Sequence, residues 1–282
     1  MMLNKNKLVF AVSLLFSVAV HAAEPQTVTG LKTPESVVAG RDGRVYVSEI
    51  GEFGKDGDGK VSVIDDTGAV RVFATGMDDP KGLAFFGNDL YVADKTRVLK
   101  VGMDGQWKVF AAADAFPVTP QFLNDLEADA QGNIYVSDTG DMKGKGGAIY
   151  RINKNGKVTR VVGDHNPQVQ GPNGLLMDGR NAMLEVDFVS GILYRVKLRT
   201  GETEKVAEGF GGGDGLVRGP GGMLYVSDWK NGKVYSVSKK GEVELLKEGY
   251  QAAADIALSK DGKYLMVPDM KAGEVHWLKI GK

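Results

Sequence analysis

The chain has 282 residues, no cysteine, 39 glycines and a formal net charge of −1. The lack of cysteine excludes disulfides, thiolate metal sites and cysteine nucleophiles. The balanced charge gives no basis for a nucleic acid or an anionic membrane as partner, and the length suffices to bury a large core without staples.

The N-terminal stretch MMLNKNKLVFAVSLLFSVAVHAAEPQ has a basic start at Lys5 and Lys7. An apolar run from Leu8 to Val20 and the small residues Ala22 and Ala23 follow. That is the layout of a secretory signal peptide, with Val20 and Ala22 fitting a cleavage pattern ahead of Ala23. The run is shorter than the roughly 20 apolar residues of a membrane span; an uncleaved anchor is the alternative. The expected organisation is a cleaved signal peptide over 1–22 and one domain over 23–282, periplasmic or secreted, without a membrane partner after cleavage. Without Lys5 and Lys7 the chain carries 33 basic against 36 acidic residues, a net charge of −3.

Beyond QTVTGL (26–31), a cassette ending in an acid appears six times: YVSE, YVAD, YVSD, LEVD, YVSD and MVPD. The terminal acids are Glu49, Asp94, Asp138, Asp187, Asp228 and Asp269, spaced by 45, 44, 49, 41 and 41 residues. Each cassette follows a head such as NGLLMD and a Gly- or Asn-containing turn. A third alternating run comes next (KVSVID, RVLKVG, AIYRIN, ILYRVK, KVYSVS, EVHWLK), and in five units a fourth, such as KVTRVV. Val, Ile, Tyr and Leu at period two between turns predict strands, and no stretch sustains a helical period. A four-stranded unit repeated six times predicts an all-β, six-bladed β-propeller with antiparallel blades. The sixth unit is one strand short, and 26–31 is expected to supply that outer strand and close the ring, covering an open edge.

Aligned on the terminal acids, the heads are Glu35, Lys81, Asn124, Asn173, Asp214 and Asp255, each 13 or 14 residues ahead of its acid. Equivalent first strands line a propeller's channel, so the heads are expected to ring one end, with the terminal acids returning to that end as a second polar ring. Glu35, Asn124, Asn173 and Asp214 offer two carboxylates and two amide oxygens, an all-oxygen set suited to one hard divalent cation such as Ca2+ or Mg2+. The competing reading of any single blade is that Asn-Gly and Asp-Gly make turns entering the strand.

With Glu at the first head, Asn-Asp at the third, Pro-Asn-Gly at the fourth and Asp-Gly at the fifth, the chain resembles the gluconolactonase family, which includes regucalcin (senescence marker protein). The resemblance covers essentially all of the chain after 22. It implies one divalent metal, Ca2+ first and Zn2+ as the other family ion, at Glu35, Asn124, Asn173 and Asp214. It also implies opening of a lactone ring, with Asp214 as the favoured base. A metal acting on the carbonyl and a carboxylate, Asp214 or Asp138, taking a proton from water form a coherent hydrolysis without a covalent nucleophile. The expected partner is a small lactone or related ester. The alternative is a non-catalytic propeller that binds partners around a structural Ca2+.

The chain departs from the family where Phe122 stands in the place of an Arg, ahead of Leu123, Asn124 and Asp125. That change argues for a substrate more apolar than a sugar lactone. Phe122, Asp125, Trp229 and Lys81 are the expected substrate-facing residues. Lys81 is expected to turn outward into solvent, with a pairing to Glu35 as the alternative, and Asp255 is a possible partner for it. The hairpins carrying KDGDGK (55–60) and DTGDMKGKGG (138–147) are expected to overhang the site as lids. KDGDGK lacks the ligand spacing of a Ca2+ loop, and Gly-rich GFGGGDG lacks the residues of a phosphate cradle. His165 and His276 are assigned surface or packing roles.

Overall fold

A computed structural model describes residues 27–163 and 166–280. The signal-peptide expectation for 1–22 and the placement of His165 lie outside these residues. Six antiparallel four-stranded sheets form a ring, a six-bladed β-propeller. Among the described residues, two single-turn 3-10 segments, Ala113–Ala115 and Pro220–Gly222, are the helical structure present.

Blade I consists of Pro34–Ala39, Val45–Glu49, Gly59–Ile64 and Val70–Met77. The same order repeats in blades II to V, whose first strands are Pro80–Phe86, Leu123–Ala128, Pro172–Met177 and Gly213–Arg218. Blade VI pairs Ala257–Leu258, Tyr264–Asp269 and Glu274–Lys279, and its fourth strand is Thr27–Thr29. Thr27 lies opposite His276 and Thr29 opposite Glu274, so the chain's start closes the last blade as expected.

Alternation in the second strands explains the repeated Tyr-Val-Ser-Asp. In blade III, Tyr135 packs toward blade IV with Met183 and Leu175, whereas Ile134 and Val136 pack toward blade II with Ala93 and Val98. A period of two thus serves two blade interfaces at once. Each of the six interfaces has its own apolar cluster. Stability is spread around the ring, and the channel is free to be polar.

The head positions coincide with a register break. In blades I to V the pairing of first with second strand skips two residues, between Pro34 and Val37, Pro80 and Leu83, Leu123 and Leu126, Pro172 and Leu175, and Gly213 and Leu216. A bulge leaves backbone unpaired and re-aims a side chain, and Glu35, Lys81, Asn124, Asn173 and Asp214 all sit in one. The Ser of the cassette meets the freed backbone: Ser48, Ser137 and Ser227 accept from the N–H of Ser36, Asp125 and Gly215 at 2.9, 2.9 and 2.7 Å. Blade VI has Pro268 there, which offers no ladder N–H, and its first strand shrinks to two residues.

The glycines after the heads are not turn residues, contrary to the competing reading of Asn-Gly and Asp-Gly. A Cβ on Gly174 would lie 2.2 Å from the Asp214 carbonyl oxygen, and one on Gly215 2.3 Å from the Ile256 nitrogen. Neither has a positive φ. They are glycines because neighbouring first strands approach too closely around the channel to admit a side chain.

Candidate functional site

The second polar ring proves to be a set of fasteners. Asp187 accepts from the backbone N–H groups of Gln170, Gly171, Val189 and Ser190 at 2.7 to 3.0 Å. Asp138 accepts from Gln121, Phe122 and Gly140, at 2.8 Å from Phe122. Asp94 holds Asp78 and Asp79, Asp228 holds Gly212 and Asn231, Asp269 holds Gln251 and Ala252, and Glu49 holds Lys32. Each acid fastens the linker entering its blade, and Asp138, Asp187, Asp228 and Asp269 also hold the loop leaving the second strand. Burial raises the Asp138 pKa despite its three backbone donors. Asp138 does not line the cavity described next, so this candidate base is placed as a structural residue.

The heads behave differently. Glu35, Lys81, Asn124, Asn173 and Asp214 line one cavity of about 50 Å3 at the channel mouth. Four of them carry a buried oxygen with no hydrogen-bond partner: Glu35 Oε2, Asn124 Oδ1, Asn173 Oδ1 and Asp214 Oδ1. The Asn124 amide is oriented from behind. Its Nδ2 donates to Thr139 Oγ1 at 3.1 Å, and Thr139 Oγ1 donates to the Pro172 carbonyl at 3.0 Å, which leaves Oδ1 unmatched. Buried polar atoms are nearly always paired, so four orphaned oxygens on one cavity fit an oxygen-seeking cation. Among the described residues no three His, Cys, Asp or Glu form a metal-binding group; half of this donor set is amide.

Both cavity carboxylates are held above the usual carboxylate range. Burial first, then repulsion from Asp214 and Asp255, pushes the Glu35 pKa well up, with Lys81 opposing. Burial and Asp255 push Asp214 well up, and the Asn173 amide opposes. Asp255, the sixth head, does not line the cavity. It accepts from Ser36 Oγ at 2.6 Å, and burial raises its pKa to about 7.

Lys81 corrects two expectations. It is 2% exposed and faces the cavity rather than solvent. Its Nζ donates to the Asp79 carbonyl at 3.2 Å and stands 4.2 Å from the centroid of the Phe122 ring. Its charge is favoured by Glu35, Asp79 and Asp94, and Asp255 is not its partner, while burial lowers its pKa. Asp125 is also set apart from the cavity: its oxygens accept from the N–H of Leu126 and of Leu175, each at 2.6 Å, joining blades III and IV. Phe122 and Trp229 do line the cavity as expected. His276 contacts Thr27 Oγ1 at 3.2 Å and Glu274 at 3.0 Å, on the closing strand pair.

Sequence reasoning missed most of the cavity's apolar wall. Phe188, Trp229 and Met270 each follow a terminal acid directly, and each backbone N–H donates to the linker that the acid fastens. Phe53 and Met142 arrive from the two long hairpins, which therefore reach over the cavity. The hairpin tip itself holds Asp56 against Lys95 at 2.5 Å.

A ring of six four-stranded blades with a cluster of polar side chains at one channel mouth defines a six-bladed propeller with a polar channel site. The chain belongs to the SMP-30/gluconolactonase/LRE-like family, whose model matches residues 86–244. A calcium-binding regucalcin from Agrobacterium tumefaciens superimposes with a TM-score of 0.74 at 20% identity, covering 91% of this chain and 94% of its own. A Xanthomonas campestris gluconolactonase gives 0.71 at 15% identity over 93% of each chain. These likenesses show the fold. Protein STRICTOSIDINE SYNTHASE-LIKE 3 of Arabidopsis thaliana is 25% identical over 232 residues, 70% of this chain, and the chain spans 59% of that relative's length.

Proposed function

We propose that the protein is a metal-dependent hydrolase that opens a lactone or related ester by attack of water. The observation that carries this reading is the convergence of four orphaned oxygens, from Glu35, Asn124, Asn173 and Asp214, on one cavity. These residues would hold one divalent ion: two hard carboxylates and two amides without a nitrogen or sulfur donor suit Ca2+ or Mg2+ over Zn2+, and likeness to a calcium-binding regucalcin favours Ca2+. Bound there, the ion supplies Lewis acidity toward a carbonyl oxygen and lowers the proton affinity of the carboxylates beside it.

Asp214 takes the proton from the attacking water. It is a buried carboxylate on the cavity, whereas Asp138 lies off it and accepts from the backbone N–H groups of Gln121, Phe122 and Gly140. Phe122, Phe188 and Trp229 keep bulk water from the floor, and Lys81 places a second positive group within the same cavity. The test is turnover of a lactone panel with and without chelator. Chelation is expected to abolish activity, and Asp214→Asn to lower kcat at least about 100-fold, the usual scale for losing a positioned base.

Lys81 beside Glu35 favours a second reading, a binding propeller in which the buried ammonium answers part of the anionic charge. Retention of a ligand with no turnover of any lactone or ester would select it. The N-terminal segment supports export to the periplasm or medium with cleavage before Ala23; an intact mass of the exported protein that retains residues 1–22 would contradict this.

A further inference from the structure

We infer that the cavity recognises a ligand with an apolar alkyl or aryl body, joined to the reacting carbonyl group, and discriminates against a polyhydroxylated one. This names the substrate class of the proposed hydrolase and rests on that reading for its head group. The argument begins with the vertical order of the site. Every polar lining residue belongs to the floor, namely Glu35, Lys81, Asn124, Asn173 and Asp214. Four of the five offer oxygens to the cation, so Lys81 and the unpartnered Asn173 Nδ2 remain to answer a ligand hydroxyl.

Above the floor the wall changes character completely. Phe122, Phe188, Trp229 and Met270 surround the cavity, and Phe53 and Met142 complete its lip. The single polar atom among these side chains, Trp229 Nε1, is already turned to Met270 Sδ at 3.3 Å. A sugar lactone would bring several hydroxyl groups against side chains that offer no free donor or acceptor; the Lys230 and Lys271 ammonium groups near this wall are engaged with the Phe188 and Trp229 rings at 4.4 and 4.2 Å. A buried hydroxyl left unpaired loses its hydration without recompense, so each one weighs against binding. A methylene in the same place gains about 0.8 kcal/mol.

The lip shows the same preference at a cost to the protein. Phe53 is 52% and Met142 41% exposed, large apolar side chains left in solvent on the hairpins of blades I and III. Met142 also holds a φ of +57° within a hairpin whose other left-handed positions, Gly140, Gly144 and Gly146, are glycines. A non-glycine residue held there is strained, because its Cβ crowds the neighbouring carbonyl. Methionine is flexible and polarisable, and suits an apolar surface that must adapt to what crosses it. The enclosed space of about 50 Å3 admits a small head group only, far below the roughly 300 Å3 of pockets that enclose whole ligands. The body of the ligand therefore runs outward past Phe53 and Met142.

The experiment uses the full chain with Ca2+. Values of kcat/KM are compared for γ-butyrolactone, γ-lactones bearing alkyl chains of increasing length, and glucono-δ-lactone. The expected result is a rise of about fourfold per methylene until the chain clears the lip, with glucono-δ-lactone poorest. A Phe53→Ala, Met142→Ala variant, altered at exposed positions that leave the fold intact, is expected to flatten that rise. In parallel, calorimetry measures binding of the matching alkyl lactams, which resist hydrolysis, and of gluconate. Length-dependent lactam binding without turnover of any lactone would sustain the apolar class and overturn the hydrolase. Preference for glucono-δ-lactone, or no dependence on chain length in either turnover or binding, would overturn the apolar class and leave the hydrolase to its own test.

Discussion

The head ring and the terminal-acid ring stand side by side at one end of the propeller, both buried and both rich in carboxylates. In register they nearly touch: Leu123, just before the Asn124 head, lies opposite Asp138, and Pro172, just before Asn173, lies opposite Asp187. Yet Asp187 accepts four backbone N–H groups, whereas Glu35, Asn124, Asn173 and Asp214 each keep an oxygen with nothing to accept from. A saturated buried carboxylate is part of the scaffold; a group of unsaturated ones sharing a cavity is a site. Position alone does not separate the two.

The largest expected effects fall on the scaffold side. Asp187→Ala would leave four backbone donors without an acceptor, and each buried unpaired group costs about 1–3 kcal/mol. A lower urea midpoint is expected, equivalent to a loss of about 3 kcal/mol or more in unfolding free energy. Asp214→Asn should leave that midpoint unchanged or raised while removing turnover. Equal destabilisation by both variants would erase the distinction between the rings.

Glu185 sharpens the comparison from another direction. It occupies the place held by Val47, Val92, Val136, Val226 and Val267 in the other five blades. Both its oxygens are buried without a partner, and burial pushes its pKa well up. It does not line the cavity, so a lone orphan is no site. Glu185→Val is expected to stabilise the protein by about 1–3 kcal/mol with activity unaltered.

A smaller effect concerns pH. Asp255 has its pKa raised to about 7 in the fold, against about 3.9 when unfolded. The folded chain therefore binds more protons than the unfolded chain between those values, and stability falls as pH rises through that window. The melting temperature of chelator-treated protein should decline from about pH 4 to pH 7. Asp255→Asn, which keeps an acceptor for Ser36 Oγ, should flatten the decline. Least of all, Lys81→Met should tighten divalent-ion binding by about tenfold or less, since it removes a like charge from beside Glu35.

Much of this was legible in the sequence. Six acids at near-equal spacing gave the blades and the closing strand, because strand period and turn chemistry are local. The heads were legible for the same reason, since a fixed offset from each acid placed them in equivalent bulges. What the acids and heads do was not. Whether Asp138 is a base or a fastener depends on which N–H groups surround it, and Lys81 turns inward through contacts with the Asp79 carbonyl and the Phe122 ring. The apolar wall did leave a signal, the residue directly after each terminal acid, but only Trp229 stood out. Phe188 and Met270 look like ordinary core residues until the ring is closed.

Titration of chelator-treated protein with Ca2+ by calorimetry addresses the convergence of the four heads most directly. One ion per chain is expected, absent in an Asn173→Ala, Asp214→Asn variant that still melts cooperatively. No binding by the unaltered chain, or undiminished binding by that variant, would contradict it.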